Sequence, residues 1–211
     1  MVSIIIRNKD EAEFIGHSIQ SCIDSFKNPE IIVVDDNSTD ESDRVVSLFD
    51  KTDITIYPLP KRYTPGYSLN YGVSKCSHDI VLVLSAHCQI TQMDLSYVKK
   101  HLKNHTAIFG NQTPIYRGKK ITKRYIWSHF KNKEVENMFS KIENRPFLHN
   151  AFCFYNKDFL LSHPFNEKLH GKEDRYWAID RIEEGNSYFY TPKLHVNHFW
   201  TPRGSTWKGI G

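Results

Sequence analysis

Residues 30–43 read EIIVVDDNSTDESD, and the rest of the chain takes its meaning from how that stretch is read. Ile31, Ile32, Val33 and Val34 form an unbroken apolar run, all of it β-branched. Such a run suits a central strand covered on both faces, as in a parallel sheet. It stops at Asp35 and Asp36, and Asn37, Ser38, Thr39 and Asp40 follow. These short polar side chains bond free backbone N–H groups, which favours turns and helix starts. Val45, Val46, Leu48 and Phe49 then recur at helical spacing. A strand ending in paired acids, then a turn, then a helix puts carboxylates at the carboxyl edge of an α/β sheet, where open sheets bind ligands. A turn that only caps a helix needs one acid, and Asp40 or Ser38 can serve. Asp35 and Asp36 are therefore read as ligand-facing.

On the N-terminal side, residues 2–6 form an apolar strand with Arg7, Asn8, Lys9 and Asp10 as its polar exit. Phe14, Ile15, Ile19, Cys22, Ile23 and Phe26 make one helical stripe, closed by Asn28 and Pro29. The opening is thus β-α-β, with a right-handed crossover expected. Downstream, the pattern predicts a helix over 40–49, a strand over 54–57, a helix over 67–75 and a strand over 80–84. A helix over 94–105 and a strand over 107–109 complete the run. Strands alternating with helices of this length indicate one doubly wound α/β unit. After Gly110 the pattern loosens. Strands are expected over 151–155, 188–190 and 194–196, and a helix over 174–184, ended by Gly185. With no repeat or linker, residues 1–211 read as a single domain. Residues 1–110 build its nucleotide-binding half, and residues 111–211 its acceptor half and C-terminal loop.

The 211 residues are 39% apolar and 25% charged, as in an ordinary globular protein. No apolar run approaches the roughly 20 residues that span a bilayer, and a strand beginning just after Met1 leaves no room for a signal peptide. The expected location is cytoplasmic. Cys22, Cys76, Cys88 and Cys153 are scattered, which suits reduced, buried thiols better than a zinc site built from Cys76, His78, His87 and Cys88. A net charge of +4 is mild and argues for neither wholesale nucleic-acid binding nor an acidic scaffold. Its local concentration is more informative. Arg117, Lys119, Lys120, Lys123, Arg124, Lys131 and Lys133 are interleaved with Tyr116, Tyr125, Trp127 and Phe130. That segment suits a solvated basic face or an approach to anionic lipid headgroups at the inner face of a membrane.

Three further motifs join VDDNSTD in chain order. GYSLNYGVSKCSHDIVLVLSAH spans 66–87, GKEDRYWAID spans 171–180, and HVNHFWTPRGSTWKG spans 195–209. Together they resemble the family 2 glycosyltransferases with a GT-A fold. The resemblance implies a mostly parallel sheet flanked by helices, and transfer of a sugar from a nucleoside diphosphate sugar with inversion. It also implies that a strand-end aspartate reads the base, compatible with UDP- or dTDP-sugars. Arg7, Asp35, Asp36, Gly66, Asn70, Ser85, Arg203 and Lys208 would form the donor side. Asp174 would be the general base and Glu173 would orient an acceptor hydroxyl, with His149, Asn150 and Trp177 on the acceptor side. The acceptor would be a glycan or a lipid-linked glycan of a bacterial-type surface polysaccharide.

The chain departs from the family at two points. Leu69 stands where an arginine is common, and Ser85-Ala86-His87 stands where the family has DxD. His87 falls at the position of the metal-binding aspartate, with His198 as a second ligand. Manganese accepts imidazole, whereas magnesium strongly prefers oxygen. Two arrangements stay open: Mn²⁺ on these histidines, or metal-free transfer with Arg203, Lys208 and the histidines as a cationic clamp. Two other readings compete with the enzyme. One is a silent nucleotide- or glycan-binding module, which the altered triplet favours and the acidic pair does not. The other is a nucleotidyltransferase, which would need a Gly-rich phosphate loop near the N-terminus.

Overall fold

The computed structural model describes residues 1–49, 52–120, 125–202 and 204. Four parallel strands form its N-terminal half: β1 (Ser3–Asn8), β2 (Glu30–Asp35), β3 (Ile54–Pro58) and β4 (Ile80–Ser85). Helices α1 (Ile15–Ser25), α2 (Ser42–Ser47) and α3 (Pro65–Lys75) make the crossovers. Next come β5 (Cys88–Gln92), α4 (Leu95–His101) and β6 (Ala107–Tyr116). The short strands β7 (Lys119–Lys120), β8 (Val135–Glu136), β9 (Phe139–Ser140) and β10 (Arg145–Pro146) follow. The chain then adds β11 (Phe152–Asn156), α5 (Lys157–Ser162), α6 (Glu173–Glu183) and β12 (Tyr188–Phe199).

The main sheet runs β3-β2-β1-β4-β11-β6-β12-β5. β11 lies antiparallel to β4 and β6, β12 lies parallel to β6, and β5 is antiparallel to β12. The doubly wound expectation holds for the first four strands, and the far half is mixed. Side chains alternate across the sheet with the period of two that a pleat imposes. Ile4, Ile6, Val33 and Leu82 pack with α1, α2 and α4 on one face. Ile5, Val34, Val83 and Cys153 pack with α3 and α6 on the other.

Local chemistry accounts for several boundaries. Thr64 caps α3 through Tyr67 N, with Pro65 in the first turn. Asp94 caps α4, and Asn156 caps α5 through Phe159 N. Asp40 accepts from both Ser42 N (3.1 Å) and Ala12 N (2.8 Å), so it ties the start of α2 to the loop before α1. The two strands expected over 188–196 are one strand of 12 residues, whose register shifts between Thr191 and His195. Pro192 falls inside that shift and splits the local pattern. All four cysteines are buried and unbridged, and no helix among the described residues is long and apolar enough to cross a membrane.

Candidate active site

In a sheet ordered β3-β2-β1-β4, the strand order reverses at β1, and a crevice opens at the carboxyl ends. Arg7, Asn8 and Lys9 leave β1 there, Asp36 leaves β2, and Ser85, Ala86 and His87 leave β4. Because β11 is antiparallel to β4, its leading residues arrive at the same edge, where Ala151 O accepts from Ser85 N at 3.1 Å. The first turn of α6 supplies the opposite wall. Lys172, at φ 60°, holds the left-handed conformation just before Glu173 and Asp174. A cleft of about 640 Å³ lies between these elements, lined by Arg7, Asp36, His87, His149, Glu173 and Asp174 among others.

Adjacent acids at the end of β2 are treated differently. Asp35 accepts from Asn8 Nδ2 (2.8 Å) and Ser38 N (2.9 Å), closing the turn, and it lines a separate small cavity instead of the cleft. Its expected donor contact is thereby replaced by a structural one. Asp36 does face the cleft, where partial burial raises its pKa against the pull of Lys9. Arg7 bridges the two walls: Nη1 donates to Glu173 Oε1 (3.2 Å) and to Tyr63 Oη (3.4 Å).

The acidic pair is likewise divided. Burial raises the Glu173 pKa against the Arg7 charge, and Asp174 adds to the rise. Asp174 takes three N–H donors: Asn150 N (3.0 Å), Arg175 N (2.8 Å) and Arg175 Nη1 (2.7 Å). Arg175 is buried, also donates to Leu148 O (2.6 Å), and lies 4.1 Å from the centre of the Phe147 ring. Arg175 and Tyr63 carried no periodic or motif signal of their own.

A chain of imidazoles runs beneath the cleft floor. His87 Nδ1 donates to Glu11 Oε1 at 3.1 Å, and Thr201 Oγ1 donates to the same oxygen at 3.4 Å. The His87 ring lies 4.9 Å from that of His198, whose Nδ1 is 2.9 Å from Gln112 Oε1. The Gln112 amide nitrogen is 3.1 Å from His149 Nδ1. Burial, with the Arg175 charge, lowers the His149 pKa to about 3. Burial and the neighbouring His87 hold His198 well below the usual range.

Several expected site residues lie elsewhere. Trp177 is buried, donates through Nε1 to His163 O (2.7 Å) and packs edge-on against Tyr155, so it is core and no sugar platform. Asn70 bonds Phe165 N, Phe165 O and Glu167 Oε1, each at 2.9 Å. A Cβ on Gly66 would come within 2.5 Å of Asn166 O. Both residues serve to dock α3 on the 165–167 loop. His198 is fully buried with its Nδ1 committed to Gln112, so it stands behind His87 and not beside it in the cleft. Arg203 and Lys208 fall outside the described residues.

A divalent cation would find few protein ligands in this cleft. Among the described residues no three His, Cys, Asp or Glu side chains are grouped to hold one. His87 fits as a ligand: its Nδ1–H is donated to Glu11, which leaves the Nε2 lone pair, and a carboxylate behind imidazole is how metal-binding histidines are commonly oriented. A cation here would therefore draw most of its ligands from the substrate.

Known proteins give the same fold. A GalNAc(5)-diNAcBac-PP-undecaprenol beta-1,3-glucosyltransferase of Campylobacter jejuni is 28% identical over 199 residues, covering 90% of this chain and 62% of that protein. S. aureus TarS 1-349 in complex with UDP-GlcNAc superimposes with a TM-score of 0.74 at 18% identity, covering 100% of this chain and 61% of that one. The mannosyltransferase PcManGT from Pyrobaculum calidifontis, in complex with GDP-Man and Mn²⁺, gives 0.72 at 18% identity, with 96% and 58% covered. The chain thus spans about three-fifths of the length of these relatives. Residues 3–162, most of the chain, match the family described as Glycosyl transferase family 2. By that match, carried on a sheet whose reversal point opens the acid-lined cleft, the chain belongs to glycosyl transferase family 2.

Proposed function

We propose that this chain is the donor-binding and catalytic part of an inverting glycosyltransferase that uses a UDP- or dTDP-sugar. Its acceptor is a hydroxyl of a glycan or lipid-linked glycan, in bacterial-type surface polysaccharide synthesis at the cytoplasmic face of a membrane. One observation carries the reading: a single cleft holds Asp36 and Arg7 on the strand edges and Glu173 and Asp174 on the opposite wall. A module that only bound nucleotide would need no pair of buried acids across the cleft from Asp36. The lipid-pyrophosphate acceptor in the name of the C. jejuni relative supports the acceptor class. Exposed Lys131 and Lys133 support contact with anionic headgroups.

In this mechanism Asp36 accepts from the base and Arg7 orders the donor side while holding Glu173. Glu173 accepts a hydrogen bond from an acceptor hydroxyl. Asp174 takes that hydroxyl's proton at Oδ1, the oxygen that, among the described residues, receives only the Arg175 backbone N–H. The freed oxygen attacks the anomeric carbon from the face opposite the diphosphate. A carbon–oxygen bond forms as the bond to the diphosphate breaks, and the electron pair leaves with the diphosphate. His87 would hold a manganese ion, which when bound neutralises charge on the departing diphosphate.

The deciding experiment is Asp174→Asn, assayed for sugar transfer and for donor affinity. Turnover should fall about 10²- to 10⁴-fold, as loss of a general base does. Donor affinity should stay within about twofold. Full activity in the variant would remove Asp174 as the base, and a wild type that transfers nothing across a broad donor and acceptor panel would overturn the enzyme.

A further inference from the structure

The steps above leave the buried amide of Gln112 without a part, yet it lies between two histidines, one of which lines the cleft. Two groups converge on His149 Nδ1: the Gln112 amide nitrogen at 3.1 Å and the backbone N of Ala151 at 3.3 Å. A backbone N–H can only donate, so Nδ1 must accept, whichever way the side-chain amide is turned. Gln112 therefore presents its NH₂ to His149 and its oxygen to His198, whose Nδ1 carries the hydrogen at 2.9 Å. Each assignment supports the other.

A neutral imidazole has one N–H, and with Nδ1 accepting it must be Nε2–H. His149 Nε2 bonds no described residue and is not among the sealed-in polar atoms, while the ring lines the cleft. Its neighbour Asn150 donates through the backbone N to Asp174, and the Asp174 charge is felt at the His149 ring. We propose that His149 is an uncharged, one-way hydrogen-bond donor to an oxygen of the bound donor substrate, and that Gln112 is the positioning residue that keeps its proton on Nε2. The ligand half of this inference rests on the glycosyltransferase reading above. The oxygen is either a diphosphate oxygen or a sugar oxygen, and both accept from N–H. A neutral donor gives the site a fixed polarity across the working pH range, which a titrating imidazole would not.

Nitrogen NMR on histidine-labelled protein tests this directly, with the His149 signals identified by their loss in His149→Asn. The wild type should show a pyrrole-type Nε2 and a pyridine-type Nδ1, unchanged between pH 8 and 5. Gln112→Glu puts an acceptor where the NH₂ stood, leaving only the longer Ala151 contact at 3.3 Å to hold Nδ1 as acceptor, so the Nδ1–H tautomer should become populated. An unchanged tautomer would make Ala151 N the group that sets it and would remove Gln112 as the positioning residue. Wild type in the opposite tautomer would overturn the proposal. Titration with UDP and then UDP-GlcNAc locates the oxygen. A shift at Nε2 with UDP alone assigns the diphosphate, and a shift only with UDP-GlcNAc assigns the sugar. In calorimetry, His149→Leu should lose about tenfold in affinity for that ligand, whereas His149→Gln, which keeps an N–H, should stay within about threefold. Ligand binding with silent His149 signals overturns the role alone. A wild type that binds none of UDP, UDP-GlcNAc, dTDP or dTDP-glucose overturns the reading of the cleft and the role together.

Discussion

Asp35 and Asp36 are adjacent and chemically alike, and their surroundings alone divide their work. Asp35→Ala would strip partners from Asn8 and Ser38, which should cost about 1–3 kcal/mol of stability with little direct effect on ligand affinity. Asp36→Ala removes a carboxylate that faces the cleft, so nucleotide affinity should drop by roughly 1.5–3 kcal/mol while the melting temperature holds. Calorimetric titration and thermal melts on the two variants check this, and the opposite pattern would exchange the assignments. His149 gives a pH signature. In the unfolded chain an imidazole binds its proton near pH 6.5, but in the fold His149 does so only at about 3. Between those values the unfolded state holds the extra proton, so stability rises with pH through the window and is lost as pH falls. The contribution is about 1.4 kcal/mol per pH unit. Over pH 6 to 4, His149→Gln should therefore lose less stability than wild type. Equal slopes in urea titrations would remove the effect.

At the scale of elements, α3 shows how a motif position can be structural. The sequence resemblance places Gly66 and Asn70 on the donor side, yet both act on the 165–167 loop. That loop leads to α6, whose first turn carries Glu173 and Asp174. Gly66→Ala forces a Cβ against a backbone carbonyl at 2.5 Å, which no side-chain motion relieves. Asn70→Ala leaves Phe165 N and O without their partner. Each should destabilise by about 1–3 kcal/mol, measured by urea denaturation. Turnover should suffer more than nucleotide affinity, since the displaced element belongs to the acceptor wall. If nucleotide affinity alone falls, Gly66 and Asn70 are donor contacts after all. The helices and the first four strands could be read locally, because each carries its own periodicity. α5 could not, since it starts at Lys157 directly after β11 ends at Asn156, with no turn residues between the two to mark a new element.

Across the whole molecule, the Arg7–Glu173 pair links the end of β1 to the start of α6 over 166 residues of chain. Burying two charges stabilises only when they meet, so removing either leaves the other uncompensated. Arg7→Met and Glu173→Gln should each destabilise. The double variant should cost less than their sum by about 1–3 kcal/mol. Additivity within about 0.5 kcal/mol would mean that the two walls are not coupled through this contact. The mixed half of the sheet has a related role. Only an antiparallel β11 brings residues 149–151 back to the edge where β4 ends. A parallel strand there would have delivered them to the opposite rim.

The sequence by itself determined the class of fold, the acid-ended central strand and the acidic start of α6. These are local properties, set by hydrophobic period, turn chemistry and residues a few positions apart. Tertiary structure decided which atom each site residue spends on which partner. It buried Trp177 against Tyr155, turned Asp35 away from the cleft, gave Asp174 three donors and joined His149 to His198 through Gln112. The partners in these contacts are brought together mostly by strand order: Gln112 and His198 are 86 positions apart, Glu11 and Thr201 190. Burial then decides how each group behaves, because a charge or a lone pair removed from water must find a partner or change its protonation. No local pattern encodes that outcome, since it depends on what the rest of the chain packs around each group.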